Sequence, residues 1–235
     1  MNNTIKQIPR NQNIVVNKEL IFYVINRTFR NARMFFIRKR LQNRDITLLS
    51  NNCNGAMMLH DLGLPFNSPF VNLWLIPSDF IKYVSNIDYY KKLDLKFTKS
   101  HKYSYPVGKL GDLTIYFQHY HSESESKEKW MKRTSRMKKD NLFLLMTERG
   151  TCTYQDLLDF DRLPFQHKIV LTHKHYPEIK SSYYIKGFEK EDELGILSDY
   201  VKNQLLGKRY YDQFDFINWF NNQVEHAMSV QNVCV

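Results

Sequence analysis

Imidazoles and carboxylates recur in this chain where apolar runs end, and these residue types move protons near neutral pH. His119 and His173 suit general acid or base work, while Asp79 and Glu148 suit orienting an imidazole or accepting from a sugar hydroxyl. Each follows within a few residues a run that reads as a buried strand. Phe70–Ile76 precedes Asp79, Leu113–Phe117 precedes His119, Leu142–Met146 precedes Glu148 and Ile169–Leu171 precedes His173. A fifth run, Ile46–Leu49, breaks into Asn51, Asn52 and Cys53. The two amides can donate to a ligand oxygen or cap a turn. Cys53, at a strand-to-helix junction, reads either as a thiolate nucleophile or as a small side chain lining a cleft. Lys174 adds a cation beside His173.

Phosphate chemistry has its own candidates. Lys129, Arg133 and Arg136 lie one helical turn apart, so they can face one anion, and the arginine forks match phosphate oxygens bidentately. Beside the His119 exit they would suit the pyrophosphate of a nucleotide sugar. Asp159 and Asp161 have the spacing that can hold a divalent cation against a diphosphate. Neither G-x-x-x-x-G-K-[ST] nor G-x-G-x-x-G occurs, which removes the commonest phosphate loops. The three cysteines are odd in number and far apart, so neither a disulfide framework nor a zinc site is expected. No cofactor is assigned beyond that divalent cation.

The elements that must position these groups alternate. Between the apolar runs lie helix-prone stretches at Gly55–His60, Ser78–Ser85, Ser122–Lys139 and Tyr154–Phe160. Alternation of this kind predicts an α/β fold, a mainly parallel or mixed sheet with flanking helices in a Rossmann-like three-layer arrangement. Right-handed crossovers would put the strand exits on one edge, where α/β proteins bind ligands. Asn51, Asp79, His119 and His173 are therefore expected to line one concave pocket. Ser122 and Glu125 have the spacing of a capping box, with Trp130, Thr134 and Met137 as the packed stripe behind it.

Two units follow from the charge pattern. Residues 1–44 are expected to form a basic amphipathic helix. From Lys18 to Arg44 eight cations face the single acid Glu19, and Ile21, Val24, Ile25, Thr28, Ala32 and Phe35 mark its packed face. Residues 45–235 are expected to form one α/β domain that ends in helices at Asp192–Leu206 and Asp212–Ala227. A net charge of +10 with 43% hydrophobic residues describes a globular protein with an anionic partner. That partner is expected to be a phosphorylated sugar or an anionic membrane surface rather than nucleic acid. No apolar run reaches the length of a bilayer span, and the polar start lacks the apolar core of a secretory signal. The expected location is cytoplasmic, with peripheral attachment at the inner membrane through the basic helix.

Ser50-Asn-Asn-Cys-Asn-Gly55, followed by Asp61-Leu-Gly-Leu-Pro-Phe-Asn-Ser-Pro69, resembles the signature of a bacterial family described as a domain of unknown function and often labelled exopolysaccharide biosynthesis protein. Tyr105–Gly108, His119-Tyr120, Lys129-Trp130 with Arg133 and Arg136, Asp140-Asn141 and His167–Val170 are similar to its later blocks, so the resemblance covers about residues 45 to 220. Family members typically carry a tryptophan and two glycines after the cysteine, where Asn54, Gly55 and Ala56 stand here. The resemblance implies an α/β fold and a role in capsule, lipopolysaccharide or exopolysaccharide assembly, and it assigns no catalytic residues. The expected function is a glycosyl- or acyltransferase-like enzyme acting on a nucleotide- or lipid-linked sugar. The alternatives are a Cys53-dependent hydrolase or acyltransferase, and a non-catalytic module that docks to membrane or nucleic acid.

Overall fold

The computed structural model describes residues 18–222. Its centre is a sheet of β1 (Thr47–Ser50), β5 (Leu142–Thr147), β6 (Lys168–Thr172) and β7 (Ser182–Tyr184), in the order β1-β5-β6-β7 with every pair parallel. β1 and β5 are buried at every position, as strands covered on both faces are, although β1 carries Thr47 and Ser50 at its two ends and β5 closes on Thr147. Side chains alternate across the sheet and build two cores. Leu49, Leu144, Met146 and Val170 point to one, Leu48, Phe143, Leu145 and Leu171 to the other.

The first core is closed by α3 (Pro77–Ser85), α6 (Tyr154–Asp161) and Trp130 of α5 (Glu123–Thr134). The second is closed by Met34 and Ile37 of α1 (Lys18–Arg40), by α2 (Asn54–Leu62), and by Phe216, Ile217 and Phe220 in the helical residues 216–222. The expected α/β class, a parallel sheet between helical layers, is what the chain adopts. Among the described residues no helix is long and apolar enough to cross a membrane.

Two of the expected strands go elsewhere. Phe70–Ile76 does not join the parallel sheet, because turns interrupt it. Phe70 N–H donates to Ser68 Oγ at 3.1 Å, Val71 N–H to Pro69 O at 3.0 Å, and Asn72 has φ 63°. What remains is a single antiparallel bridge, Trp74 to Tyr116. Leu113–Phe117 supplies β4 (Leu113–Tyr116) of a second sheet, antiparallel, with β2 (Lys96–Thr98) and β3 (Val107–Leu110). Only Gly111 and Asp112 separate β3 from β4. Gly111 takes φ 62°, and a loop that short closes a hairpin but cannot carry a parallel crossover.

Three helices also depart from expectation. Residues 192–206 are irregular, with Leu194 and Leu197 turned into the second core and Tyr200 bridged to Arg209. Asp212–Ala227 is represented by a 3-10 turn at Tyr210–Gln213 and by helical residues 216–222; residues 223–227 lie outside the described residues. α5 stops at Thr134 rather than Lys139. Its Ser122 cap accepts from Glu125 N–H at 3.1 Å, but the Glu125 carboxylate accepts from His121 N–H instead of completing the box at Ser122.

α1 packs with the opposite face from the one expected. Its buried residues are Asn26, Arg30, Met34 and Ile37, while Ile21, Val24 and Phe35 are exposed. Two of the four are polar, and each is met by a distant segment. Gly207 N–H donates to Asn26 Oδ1 at 2.9 Å. Arg30 donates from Nε to Asp61 at 3.0 Å, from Nη1 to Asp212 at 2.8 Å and from Nη2 to the Tyr211 hydroxyl at 2.7 Å. Burial alone would raise the Asp61 carboxyl, but the bonds from Arg30 and Tyr211 hold it below the usual carboxylate range.

Candidate functional site

Because β1, β5 and β6 are neighbours and parallel, their exits follow one another along one edge of the sheet, about 4.8 Å apart. The first exit is stitched to the second. Thr147 N–H donates to Asn51 Oδ1 at 3.0 Å, Asn51 Nδ2 returns a bond to Thr147 O at 3.4 Å, and Asn54 Nδ2 donates to Thr147 Oγ1 at 3.2 Å. Asn51 thus extends the ladder with its side chain, and Asn52 Oδ1 receives the Asn54 N–H at 3.0 Å as a turn cap. Cys53 stands at the N-cap of α2 with Sγ 3.8 Å from Leu73 O, and burial pushes its thiol up.

The second and third exits make the strongest polar cluster of this edge. Glu148 Oε2 accepts from the His173 backbone N–H at 2.9 Å and lies 2.7 Å from His173 Nδ1, while Oε1 accepts from the Tyr176 hydroxyl at 2.7 Å. Glu148 and His173 are both buried. In the neutral ring whose Nδ1–H donates to the carboxylate, the other ring nitrogen is the one that carries the lone pair. That nitrogen, Nε2, is buried and has no hydrogen-bond partner among the described residues. Burial and then the Glu148 carboxylate push the Tyr176 hydroxyl up. Nearby Cys152 is pushed up to about 12, by burial first and then by Asp156 and Glu148.

A cleft of about 680 Å³ opens beside this cluster, walled by Glu148, Arg149, Glu193, Asp199, Tyr200 and Lys202 among others. Arg149 Nε lies 3.6 Å from Glu193, whose carboxylate also accepts from Gly150 N–H. The expected pocket of Asn51, Asp79, His119 and His173 is not this one, since none of the four lines it. Glu148 is the expected residue that does.

The other candidates are placed by the second sheet. Asp79 is buried in α3 and accepts from Thr114 N–H at 2.9 Å, fastening β4 to that helix. His119 follows β4 and is exposed, with its backbone N–H on Asn72 O at 3.2 Å. Lys129 is half-buried, 3.8 Å from Glu128. Arg133 Nη1 donates to the Tyr120 hydroxyl and to Val71 O at 3.4 Å, and the Tyr120 hydroxyl donates to Val71 O at 2.7 Å. Arg133 and Tyr120 thus meet at Val71 O, and Cys53 Sγ faces Leu73 O two residues further along the same segment. Arg136 lies beyond the end of α5 and Lys174 beyond β6, both exposed.

Asp159 and Asp161 do not converge on a common point. Asp159 pairs with Arg162 at 3.1 Å, and Asp161 accepts from Ser181 N–H at 2.7 Å. No group of three or more His, Cys, Asp or Glu placed to hold a metal ion occurs among the described residues. Arg149 stands in the polar cluster that follows the Leu142–Met146 run, whereas Tyr176 and Glu193 were not anticipated from sequence. Tyr176, three residues beyond His173 in the same exit loop, carried a readable signal, whereas Glu193 lay inside a stretch read as helix.

Fold and site together define an α/β protein with a carboxylate-bound imidazole and a polar cleft at the carboxyl edge of a parallel sheet. The chain belongs to the family described as a domain of unknown function (DUF1919), which it matches over residues 24–221. It is similar to a Haemophilus influenzae protein, described as uncharacterized, at 53% identity over 207 residues, which is 88% of this chain and 95% of that relative.

Proposed function

We propose that this protein is a transferase of surface-polysaccharide assembly, working at the cytoplasmic side on a sugar linked to a nucleotide or a lipid phosphate. The observation that carries the reading is His173, oriented by Glu148 through Nδ1 with Nε2 left unbonded. That is the arrangement of a general base held in one tautomer. In transfer, the acceptor hydroxyl oxygen would bond to the sugar's anomeric carbon as the bond from that carbon to the phosphate oxygen breaks. The hydroxyl proton goes to His173 Nε2, and the phosphate leaves with the bonding electrons.

The cleft borders Glu148 rather than His173, so it suits the body of the acceptor, and the reacting hydroxyl meets Nε2 only when that buried ring edge is uncovered. Glu191, Asp192 and Asp199 can accept from sugar hydroxyls, with Tyr200 and Tyr210 in the cleft wall, whereas the same carboxylates would repel a diphosphate. The phosphate is assigned instead to the β1 exit, where Arg133 and Cys53 face the same segment at Val71 O and Leu73 O and α2 begins with no acid in its first turn. The similarity of the Ser50–Gly55 and Asp61–Pro69 blocks to exopolysaccharide biosynthesis proteins supports the choice of pathway class.

The test is calorimetric titration of nucleotide sugars and of a polyprenyl-phosphate sugar, with nucleoside diphosphate release as the turnover assay. One donor class is expected to bind wild type and His173→Gln alike, with turnover in the variant lower by about 10²-fold or more. Absence of binding by both donor classes would end the reading.

A further inference from the structure

We infer that the outward face of α1 is a docking surface for an anionic lipid membrane. α1 has 23 residues, roughly 35 Å of helix at 1.5 Å per residue. Its inward stripe, Asn26, Arg30, Met34 and Ile37, is buried against the second core and Asp61, Tyr211 and Asp212. At 100° per residue the opposite stripe is Ile21, Val24, Thr28, Ala32 and Phe35, with Leu20 and Phe36 at its margins. These are the residues whose periodicity marks an apolar face in the sequence. In the fold they face away from the protein, with Val24 53%, Phe35 55% and Phe36 66% exposed.

Single exposed apolar side chains are ordinary, but a stripe of them over four turns on one face marks an interaction site. The charges beside the stripe choose the occupant. Arg30 and Arg33 turn inward to Asp61 and Asp212. Arg38 Nε also turns inward, to Asp61 O at 2.7 Å, whereas Arg27, Lys39 and Arg40 are exposed, and Lys39 Nζ sits 4.3 Å over the Phe35 ring. A second copy of the chain seated on this face would set these cations against their own kind. Nucleic acid would match the cations and leave the aliphatic stripe without a role. An anionic bilayer matches both, with Val24, Phe35 and Phe36 entering the boundary between headgroups and acyl chains while the cations meet the headgroups. The inference stands independently of the sugar-transfer reading, since it uses no residue of that site.

The experiment is flotation of the full chain with vesicles of phosphatidylcholine alone and of phosphatidylcholine with an equal part of phosphatidylglycerol. The variants are Phe35→Ser/Phe36→Ser and Lys39→Glu/Arg40→Glu. Met131→Ser is the control, an exposed apolar residue on α5. The expected result is binding to the anionic vesicles only, weakened about tenfold or more by either double substitution and unchanged by the control. Circular dichroism melts of the variants should overlay the wild type, because all four substituted positions are exposed. Three results would overturn the inference. One is failure of wild type to bind anionic vesicles, and another is equal binding by the double variants. The third is a stable dimer in light scattering that Phe35→Ser/Phe36→Ser dissociates, which would give the face to a second copy. Donor-sugar titrations without vesicles report on the transferase reading separately.

Discussion

Arg30 and His173 are equally buried, each 3% exposed, and each is held by a buried carboxylate, yet the two environments end differently. Arg30 uses Nε, Nη1 and Nη2, reaching Asp61, Asp212, Tyr211 and the Gly207 carbonyl. His173 is bonded through its backbone N–H and Nδ1, both to Glu148, and its Nε2 meets no acceptor or donor among the described residues. A guanidinium with every nitrogen engaged is a fastener, here tying α1 to segments far along the chain. An imidazole with one nitrogen engaged and one open has a capacity the folded protein does not use; Arg209 Nε and five other buried side-chain atoms share that state, and Nε2 differs in that a buried carboxylate at a strand exit orients its ring. The difference separates a buried group bonded at every nitrogen from one with bonding capacity left over.

The largest effect is expected where the fastener is cut. Asp61→Ala leaves Arg30 buried beside a missing carboxylate, and removing one member of a buried ion pair costs about 3–5 kcal/mol. Urea denaturation should show that loss. If Asp61→Ala costs under about 1 kcal/mol, the network behaves like a surface pair and the contrast with His173 collapses. The pH dependence carries a definite sign. The folded-state Asp61 carboxyl lies below its unfolded value, so its stabilisation is fully present above about pH 4 and is lost as pH falls through the folded value. The stability gap between wild type and Asp61→Asn should therefore narrow on acidification from pH 5 to about pH 3.

His173→Gln sharpens the other half of the comparison. Glutamine keeps a polar group near Glu148 but cannot take a proton, so turnover should fall by about 10²-fold while the melting temperature moves much less than in Asp61→Ala. Equal losses of stability in the two variants would class His173 as another fastener. Diethyl pyrocarbonate gives a simpler view. In the free protein exposed His119 should react readily and buried His173 slowly, read by peptide mass spectrometry.

The sequence disclosed the parts of this picture that depend on local pattern. Leu142–Met146 and Ile169–Leu171 are apolar at every position and Ile46–Leu49 at all but Thr47, and such runs mark central parallel strands, so the exits carrying Asn51, Glu148 and His173 are legible together. Asp79 and His119 were grouped with them because Phe70–Ile76 and Leu113–Phe117 look equally apolar. What kept those runs out of the parallel sheet was turn geometry at Asn72 and Gly111, which weighs little in a count of hydrophobic residues. α1 has apolar residues on two faces. The buried one contains Asn26 and Arg30, whose bonding groups at residues 61, 207, 211 and 212 no local window contains.

A smaller effect is expected at the β1 exit. Arg133 is engaged through Nη1 with Tyr120 and Val71, which leaves its fork able to add a charge-assisted bond to a phosphate. Arg133→Ala should weaken donor-sugar affinity by about 1.5–3 kcal/mol, against no change for Arg136→Ala out on the surface. Equal losses in both would mean that the effect is the general field of a basic protein, and salt titration would show it by screening both alike.

The smallest effect should come from Cys53, although it stands in the most chemically suggestive position of the sequence. A nucleophilic cysteine needs its thiolate, and a helix N-terminus or a cation commonly supplies it by lowering the thiol pKa. Here burial acts in the opposite direction and pushes the thiol up, with Sγ facing the Leu73 carbonyl at 3.8 Å, a contact that favours the protonated form. Iodoacetamide at neutral pH should therefore modify Cys53 more slowly than a free thiol. Cys53→Ser should keep turnover within about twofold and stability within about 1 kcal/mol, as a near-isosteric change at a half-buried site. Rapid alkylation that abolishes turnover, together with an inactive Cys53→Ser of unchanged melting temperature, would move the chemistry from the Glu148–His173 exit to the β1 exit. His173 would then be the buried residue in need of a structural explanation, and the contrast with Arg30 would no longer separate a site from a scaffold.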